Sequence, residues 1–488
     1  MIEARTVERL SRFFGLRVKD KTTIKLGLVG LAVLLAAWLA LFQPFAQPGT
    51  SDGVTQAGHR CLGIFAVCVA LWFTNVIPLA ATGLLAIAML PLLHVLPADE
   101  AFALFGNSAV FFMLGVFLLA AAMITTGLSK RITLLALHRF DGSPQRLATG
   151  VAVSAAALAM FMPEHAVAAM IYPIIIEIVD ALKLSKGSNY AKKLFLSLAW
   201  GAIIGGVGTM LGGARAPLAL SLLKSAHPDK TIGFVSWMVA ALPVVLIMIV
   251  IAVIMLRRRV PDDITDVRPA TRMLAERVNR LGPMSGVERR LAVLGFLTIA
   301  AWMTCDLHKI DLAVIALVSA GMLFVLRIVD WQSLQGYVNW GVLLMYGGAI
   351  ALGKALAQTH ALEWFARQVV DETASPFVVV VLMATVAIIL TEGISNSAAV
   401  AVLLPIGYSL GEMTGVSPAM MTLAVTIPAG LAFLLPISSP PNAISFSAGH
   451  YSVREVVQLG WPMTVCALIV VIGVMGIWWT LVLKINTW

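Results

Sequence analysis

"MPEHAVAAMIYPI" at residues 162–174 and "ISNSAAVAVLLPI" at residues 394–406 align without a gap when Pro173 is laid on Pro405. Pro163, Glu164 and His165 then stand where the later stretch has Ser395, Asn396 and Ser397. Both trios interrupt strongly apolar sequence. A polar group buried there without a partner costs roughly 2–7 kcal/mol, and a proline breaks the helical hydrogen-bond ladder. The two interruptions predict two hairpins that enter a bilayer, turn at the polar trio and return to the side they came from.

The composition agrees. The chain has 488 residues, 60% of them hydrophobic and 12% charged, with a mean hydropathy of +0.93. A soluble chain of this length leaves too much surface wet to hide so much apolar side chain. The fold class is therefore an all-α polytopic membrane protein. The net charge of +9 sits in loops, which is the footprint of cytoplasmic topology and not of nucleic-acid binding. The four cysteines, Cys61, Cys68, Cys305 and Cys466, lack metal-type or disulfide spacing and read as small hydrophobes. No paired nucleophile and base and no metal motif is present, so the chain does not read as an enzyme. A channel would not need two interrupted hairpins.

Long apolar runs lie near 26–45, 61–77, 79–96, 107–127, 232–256, 288–305, 311–328, 339–357 and 459–484. Shorter, interrupted ones lie near 148–182, 194–223, 376–411 and 418–448. Basic loops at 129–140, 183–193 and 257–290 place those connections in the cytoplasm, together with the amino terminus. The assignment closes with about eleven spans if 148–182 and 376–411 are re-entrant. The basic amino-terminal segment and first span (1–60) precede a first repeat (61–256), a polar linker (257–287) and a second repeat (288–488). An odd number of crossings per half makes the repeats inverted, the architecture of secondary transporters with a midplane site.

A second pair of interruptions completes the candidate site. "LPISSPPNAISF" (435–446) breaks a helix with two prolines, and "GTMLGGARAPLAL" (208–220) breaks its counterpart with glycines and Pro217. The latter carries Arg215, and a buried arginine needs a counter-ion. Glu164 is the available carboxylate in the same half, and a substrate anion is the other candidate. The pair reads either as a structural tie or as direct contact with substrate or coupling ion. His165 reads equally as a filler or a proton carrier, and Glu392 as a cation attractor or the partner of a basic residue.

With these residues in place, the chain resembles the divalent anion/sodium symporter family. "SNS" (395–397) and "SSPPN" (438–442) match the second-half tip and unwound-helix motifs of that family, and the similarity covers roughly 60–480. The first-half motifs depart from it, as Pro163-Glu164-His165 and Gly213-Ala214-Arg215-Ala216. The resemblance implies a secondary active transporter of a small anion, of di- or tricarboxylate or sulfate type, with elevator-like alternating access. The alternative is a proton-coupled or sodium-independent exchanger or a metalloid-oxyanion transporter. It implies a substrate site at Glu164, His165, Arg215, Ser395, Asn396, Ser397, Ser439, Pro440 and Asn442, with Pro163 at the first hairpin tip. One sodium site is retained, at Ser395, Asn396, Ser397, Ser438 and Pro440, where neutral oxygens suit a hard cation. Arg215 stands in place of the other. No organic cofactor is expected. The expected partners are the anion, the lipid bilayer and a second copy in a homodimer, in the cell's inner (plasma) membrane.

Overall fold

The computed structural model describes residues 18–44, 54–140, 142–362, 364, 366 and 374–485. The basic segment expected at the amino terminus lies largely outside them. All the described regular elements are helical. Among the described residues seven helices are long and apolar enough to cross a bilayer, with four shorter apolar helices beside them. Large apolar side chains stay exposed on their outer faces, for example Phe296 at 71%, Ile389 at 66% and Leu246 at 55%. A soluble surface does not carry such a belt, and lipid covers it here.

The aligned stretches are indeed hairpins. Pro144–Ala159 and Glu164–Ala181 form the first, and Pro376–Thr391 and Asn396–Thr414 the second. Each opens with a proline in its first turn, where no helical donor is lost. Their second arms start 232 positions apart (396 less 164) and carry Pro173 and Pro405 at the same place. The repeat reaches well beyond the hairpins. Asn107 and Asn339 cap corresponding helices, Ser108–Thr125 and Trp340–Gln358, through their side chains. Left-handed residues recur in step as well, Asn75 with Lys309, His94 with Arg327 and Lys183 with Gly415.

Contacts between the halves are reciprocal. Leu79–Leu92 packs on Trp340–Gln358, while its counterpart Leu312–Val325 packs on Ser108–Thr125. Gly83 meets Gly348 at the first crossing and Gly115 meets Ala316 at the second, each so closely that a side chain has no room. In the same way Arg215–Ala226 packs on Asn396–Thr414, and Pro440–Ser447 on Glu164–Ala181. Exchange of equivalent partners is what a two-fold relation produces.

The broken helices follow the prolines and glycines. Asn189–Gly206 gives way to irregular chain before Arg215–Ala226, and Pro418–Thr426 ends in a short 3-10 turn, Pro428–Gly430, before Pro440–Ser447. Small residues bring backbones together here, as is usual between helices in lipid. Gly201 and Gly205 lie against the carbonyls of Ala152 and Ala156 on the first hairpin. Gly205→Ala should therefore cost about 1–3 kcal/mol by overpacking, seen as a lower unfolding temperature in detergent. Gly295→Ala, facing open space within the protomer, should not lower that temperature, since alanine is the better helix former.

Two elements were hidden in stretches that read as polar loops. Leu128–His138 and Arg268–Arg280 are helices, and the second packs between the first and the hairpin arm Glu164–Ala181. The linker also ties down the first half. Asp262 Oδ1 lies 2.5 Å from Lys193 Nζ, and Asp263 accepts from the N–H groups of Asn189 (2.8 Å) and Tyr190 (2.9 Å) and from the Ser188 hydroxyl. Burial pushes the Asp263 carboxyl up, but these donors outweigh it and hold it below its ordinary range. The four cysteines are free thiols, Cys61 and Cys68 buried.

Candidate functional site

Each hairpin tip is stitched to the broken helix of its own half. In the first half Pro163 precedes the helix as its cap residue. The Glu164 N–H donates to the Gly212 carbonyl at 2.9 Å, and the Thr209 hydroxyl donates to the Met160 carbonyl. Arg215 Nη1 donates to Glu164 Oε2 at 3.2 Å, both side chains being buried. The guanidinium makes only this single-pronged contact with the carboxylate, and among the described residues Nη2 has no hydrogen-bond partner. Glycines make the space, since a side chain at Gly206 would run into the Glu164 carboxylate, and one at Gly213 or Gly430 into the guanidinium.

Helix polarity separates the two charges. Glu164 and Arg215 each occupy the first position of a helix, where the backbone N–H groups present partial positive charge. That end suits the carboxylate and opposes the guanidinium. Of the two, Arg215 is the group in need of a further anion.

In the second half Ser395 caps its helix, its hydroxyl accepting from the Ala398 N–H at 3.2 Å. Asn396 and Ser397 follow, both buried. Thr391 Oγ1 lies 2.8 Å from Asn396 Oδ1 and 2.7 Å from the Ala429 carbonyl. A hydroxyl has one hydrogen and cannot donate to both. Without a cation the Asn396 amide can turn its nitrogen to the hydroxyl; with one, three oxygens already face each other. Thr391 and Ala429 were not singled out in the sequence. Thr391 ends an apolar arm and Ala429 contributes only a carbonyl, which no side-chain motif reveals.

The second broken segment is braced internally. Asn442 Nδ2 donates to the Ala432 carbonyl (2.9 Å) and to Ser438 Oγ (3.1 Å), and the Ser438 hydroxyl donates to the Leu435 carbonyl at 2.7 Å. Ser438 and the Asn442 nitrogen are therefore engaged in holding the irregular chain. Ser439 Oγ is buried and has no partner among the described residues, while Pro440 starts the following helix and is exposed. Glu392 matches neither expectation. Its carboxylate accepts from the N–H groups of Phe433, Leu434 and Leu435 at 2.9–3.2 Å. A carboxylate thus caps donors that the broken helix leaves unbonded in an apolar layer. The His165 ring lies edge-on to that of Phe117, with centroids 6.3 Å apart.

The half-sites meet at one peptide. The Ala429 carbonyl belongs to the Thr391–Asn396 oxygen cluster, and the next residue, Gly430, lies against the Arg215 guanidinium. A buried cation from the first half and an oxygen cluster from the second are adjacent, beside helices that begin at Glu164, Arg215 and Asn396. Such an arrangement has the chemistry to hold an anion beside a small cation. A cavity of about 180 Å³ lies farther along, lined by Leu222, Gly353, Pro405, Tyr408 and Glu412. It lies among Trp340–Gln358, Arg215–Ala226 and Asn396–Thr414, which also pack on one another.

Paired hairpins, paired broken helices and a polar centre define a polytopic helical transporter. Across residues 28–485 the chain matches the sodium:sulfate symporter transmembrane region, and it belongs to that family. It is 28% identical to the sodium-dependent dicarboxylate transporter SdcS of Staphylococcus saprophyticus over 490 residues, covering 94% of this chain and 93% of the relative. Identity to SdcS of Staphylococcus aureus is also 28%, over 501 residues, covering 96% and 94%. The fold is similar to that of Neisseria gonorrhoeae MtrF, with a TM-score of 0.59 at 14% identity over 94% of each chain.

Proposed function

We propose that this protein is a secondary active transporter of a small dianion, of dicarboxylate or sulfate type, driven in part by sodium. The observation that carries the reading is the meeting of the Arg215 guanidinium and the Thr391–Asn396 oxygens at Ala429–Gly430. Arg215 offers the anion a planar fork that keeps its charge at any working pH. Ser439 Oγ, buried and without a partner among the described residues, would add a donor, and Ser395 and Ser397 belong to the turn of the second hairpin. Sodium is the cargo of the second-half cluster, held by Thr391 Oγ1, Asn396 Oδ1 and the Ala429 carbonyl. Ser438 braces this site and does not ligate in this reading.

The halves are inverted repeats, as an odd number of crossings in each requires, with the amino terminus in the cytoplasm of a plasma-membrane protein. Hairpins and broken helices move as one unit against a scaffold that includes Leu79–Leu92, Gly286–Met303 and Leu312–Val325, the surface that pairs two copies. The relatives' names, sodium-dependent dicarboxylate transporters, favour a dicarboxylate over sulfate. Purified protein in proteoliposomes should accumulate labelled succinate under an inward sodium gradient and lose most of that uptake when potassium replaces sodium. Failure to bind or carry succinate and sulfate under any gradient overturns the reading.

A further inference from the structure

Charge balance at the first half-site carries a further step, resting on Arg215 as the anion's partner. A neutral polar tip holding a sodium ion would present one positive charge. Here the pair Glu164–Arg215 is neutral in sum, so an arriving dianion would find no net cation in that half. Nor would it find the guanidinium wholly free, since Nη1 faces Glu164. We propose that a proton replaces the sodium of the first half: it is taken up by the Glu164 carboxylate together with the substrate, and it frees Arg215 to turn its fork to the anion.

The proton comes from bulk water on the side of uptake and adds to a carboxylate oxygen; no covalent bond of the protein is made or broken. Glu164 then becomes a neutral acid whose hydroxyl can donate, and Arg215 and the dianion form the charged pair. On release the anion leaves, the proton returns to water on the opposite side, and the carboxylate reclaims Nη1. Neither Glu164 nor Arg215 is left as an uncompensated charge in a dry place at any stage, which is the costly alternative. The geometry suits the exchange, because the 3.2 Å contact is single-pronged and Nη2 has no partner among the described residues.

Other titratable groups are poorly placed to take this role. Among the described residues the carboxylate meets one charged side chain, Arg215. On its own helix His165 faces Phe117, and Glu177 pairs with Arg277 of the linker helix, several turns away. Lys192 and Lys193 lie at the far end of the packed helix Asn189–Gly206, paired with Glu455 and Asp262. Tyr346 reaches the neighbourhood from Trp340–Gln358, buried and close to Arg215. A phenol there is a much weaker acid than a carboxyl.

The test uses the full chain in proteoliposomes at fixed, saturating sodium, with succinate added near neutral pH and a trapped pH indicator inside. Wild type should move about one proton inward with each succinate. Its apparent succinate affinity should rise about tenfold per unit fall in external pH, as linkage of one proton requires. Glu164→Gln, which mimics the protonated acid, should carry no proton with succinate and show less than about twofold dependence over the same pH unit. Wild-type uptake without proton movement overturns the proposal whatever the variant does, and so does a Glu164→Gln protein that keeps the wild-type slope. Absence of succinate and sulfate uptake in wild type would instead remove the transport reading itself.

Discussion

Arg215→Ala is expected to lower affinity for a dicarboxylate by roughly thirtyfold to several thousandfold. This is the range for truncating one member of a buried, hydrogen-bonded charge pair at a binding site. The variant removes the buried cation that faces Gly430 and leaves Glu164 without its partner. Arg215→Lys should recover little, because an ammonium lacks the planar fork and is more strongly hydrated. Binding is best read by calorimetry on detergent-purified protein whose folding is checked by its unfolding temperature. If the folded Arg215→Ala protein binds succinate as wild type does, the arginine is a structural tie and the anion is held elsewhere.

Asn396→Ala should raise the sodium concentration for half-maximal uptake by roughly five- to a hundredfold, the effect of removing one buried polar partner. Thr391→Val should act in the same direction, since it deletes the hydroxyl that sits between Asn396 Oδ1 and the Ala429 carbonyl. By reciprocal linkage both variants should weaken succinate binding when sodium is present and much less when it is absent. Ser438→Ala, whose hydroxyl is engaged with Leu435 and Asn442, should change sodium activation far less. A single site predicts a hyperbolic sodium curve for wild type. A steep, cooperative curve would falsify it and call for a second sodium in the first half, where Arg215 now lies.

The sequence by itself determined the class, the apolar helices and the repeat, but not the helices Leu128–His138 and Arg268–Arg280, which lie in basic stretches. Sustained apolar runs can only be membrane helices, since every backbone donor must be bonded within lipid. Prolines and glycines marked the breaks because their effect on a helix is local. The gapless alignment of residues 162–174 on 394–406 corresponds to helices that start at Glu164 and Asn396 and carry prolines at one position. Even the Glu164–Arg215 pair was legible, because both charges interrupt apolar sequence at the hairpin tip and the broken helix of one half. Three features were decided by tertiary structure. Glu392 read as a charge for an ion, but it faces three backbone N–H groups of a segment 41–43 residues away. Thr391 and the Ala429 carbonyl form the oxygen cluster with Asn396, and a carbonyl carries no side-chain signature. The meeting of the two half-sites at Ala429–Gly430 depends on how the repeats interlock. Helix starts and breaks are set by neighbours a few positions away. Which broken ends face each other is set by packing between halves more than two hundred residues apart, where no local pattern reaches.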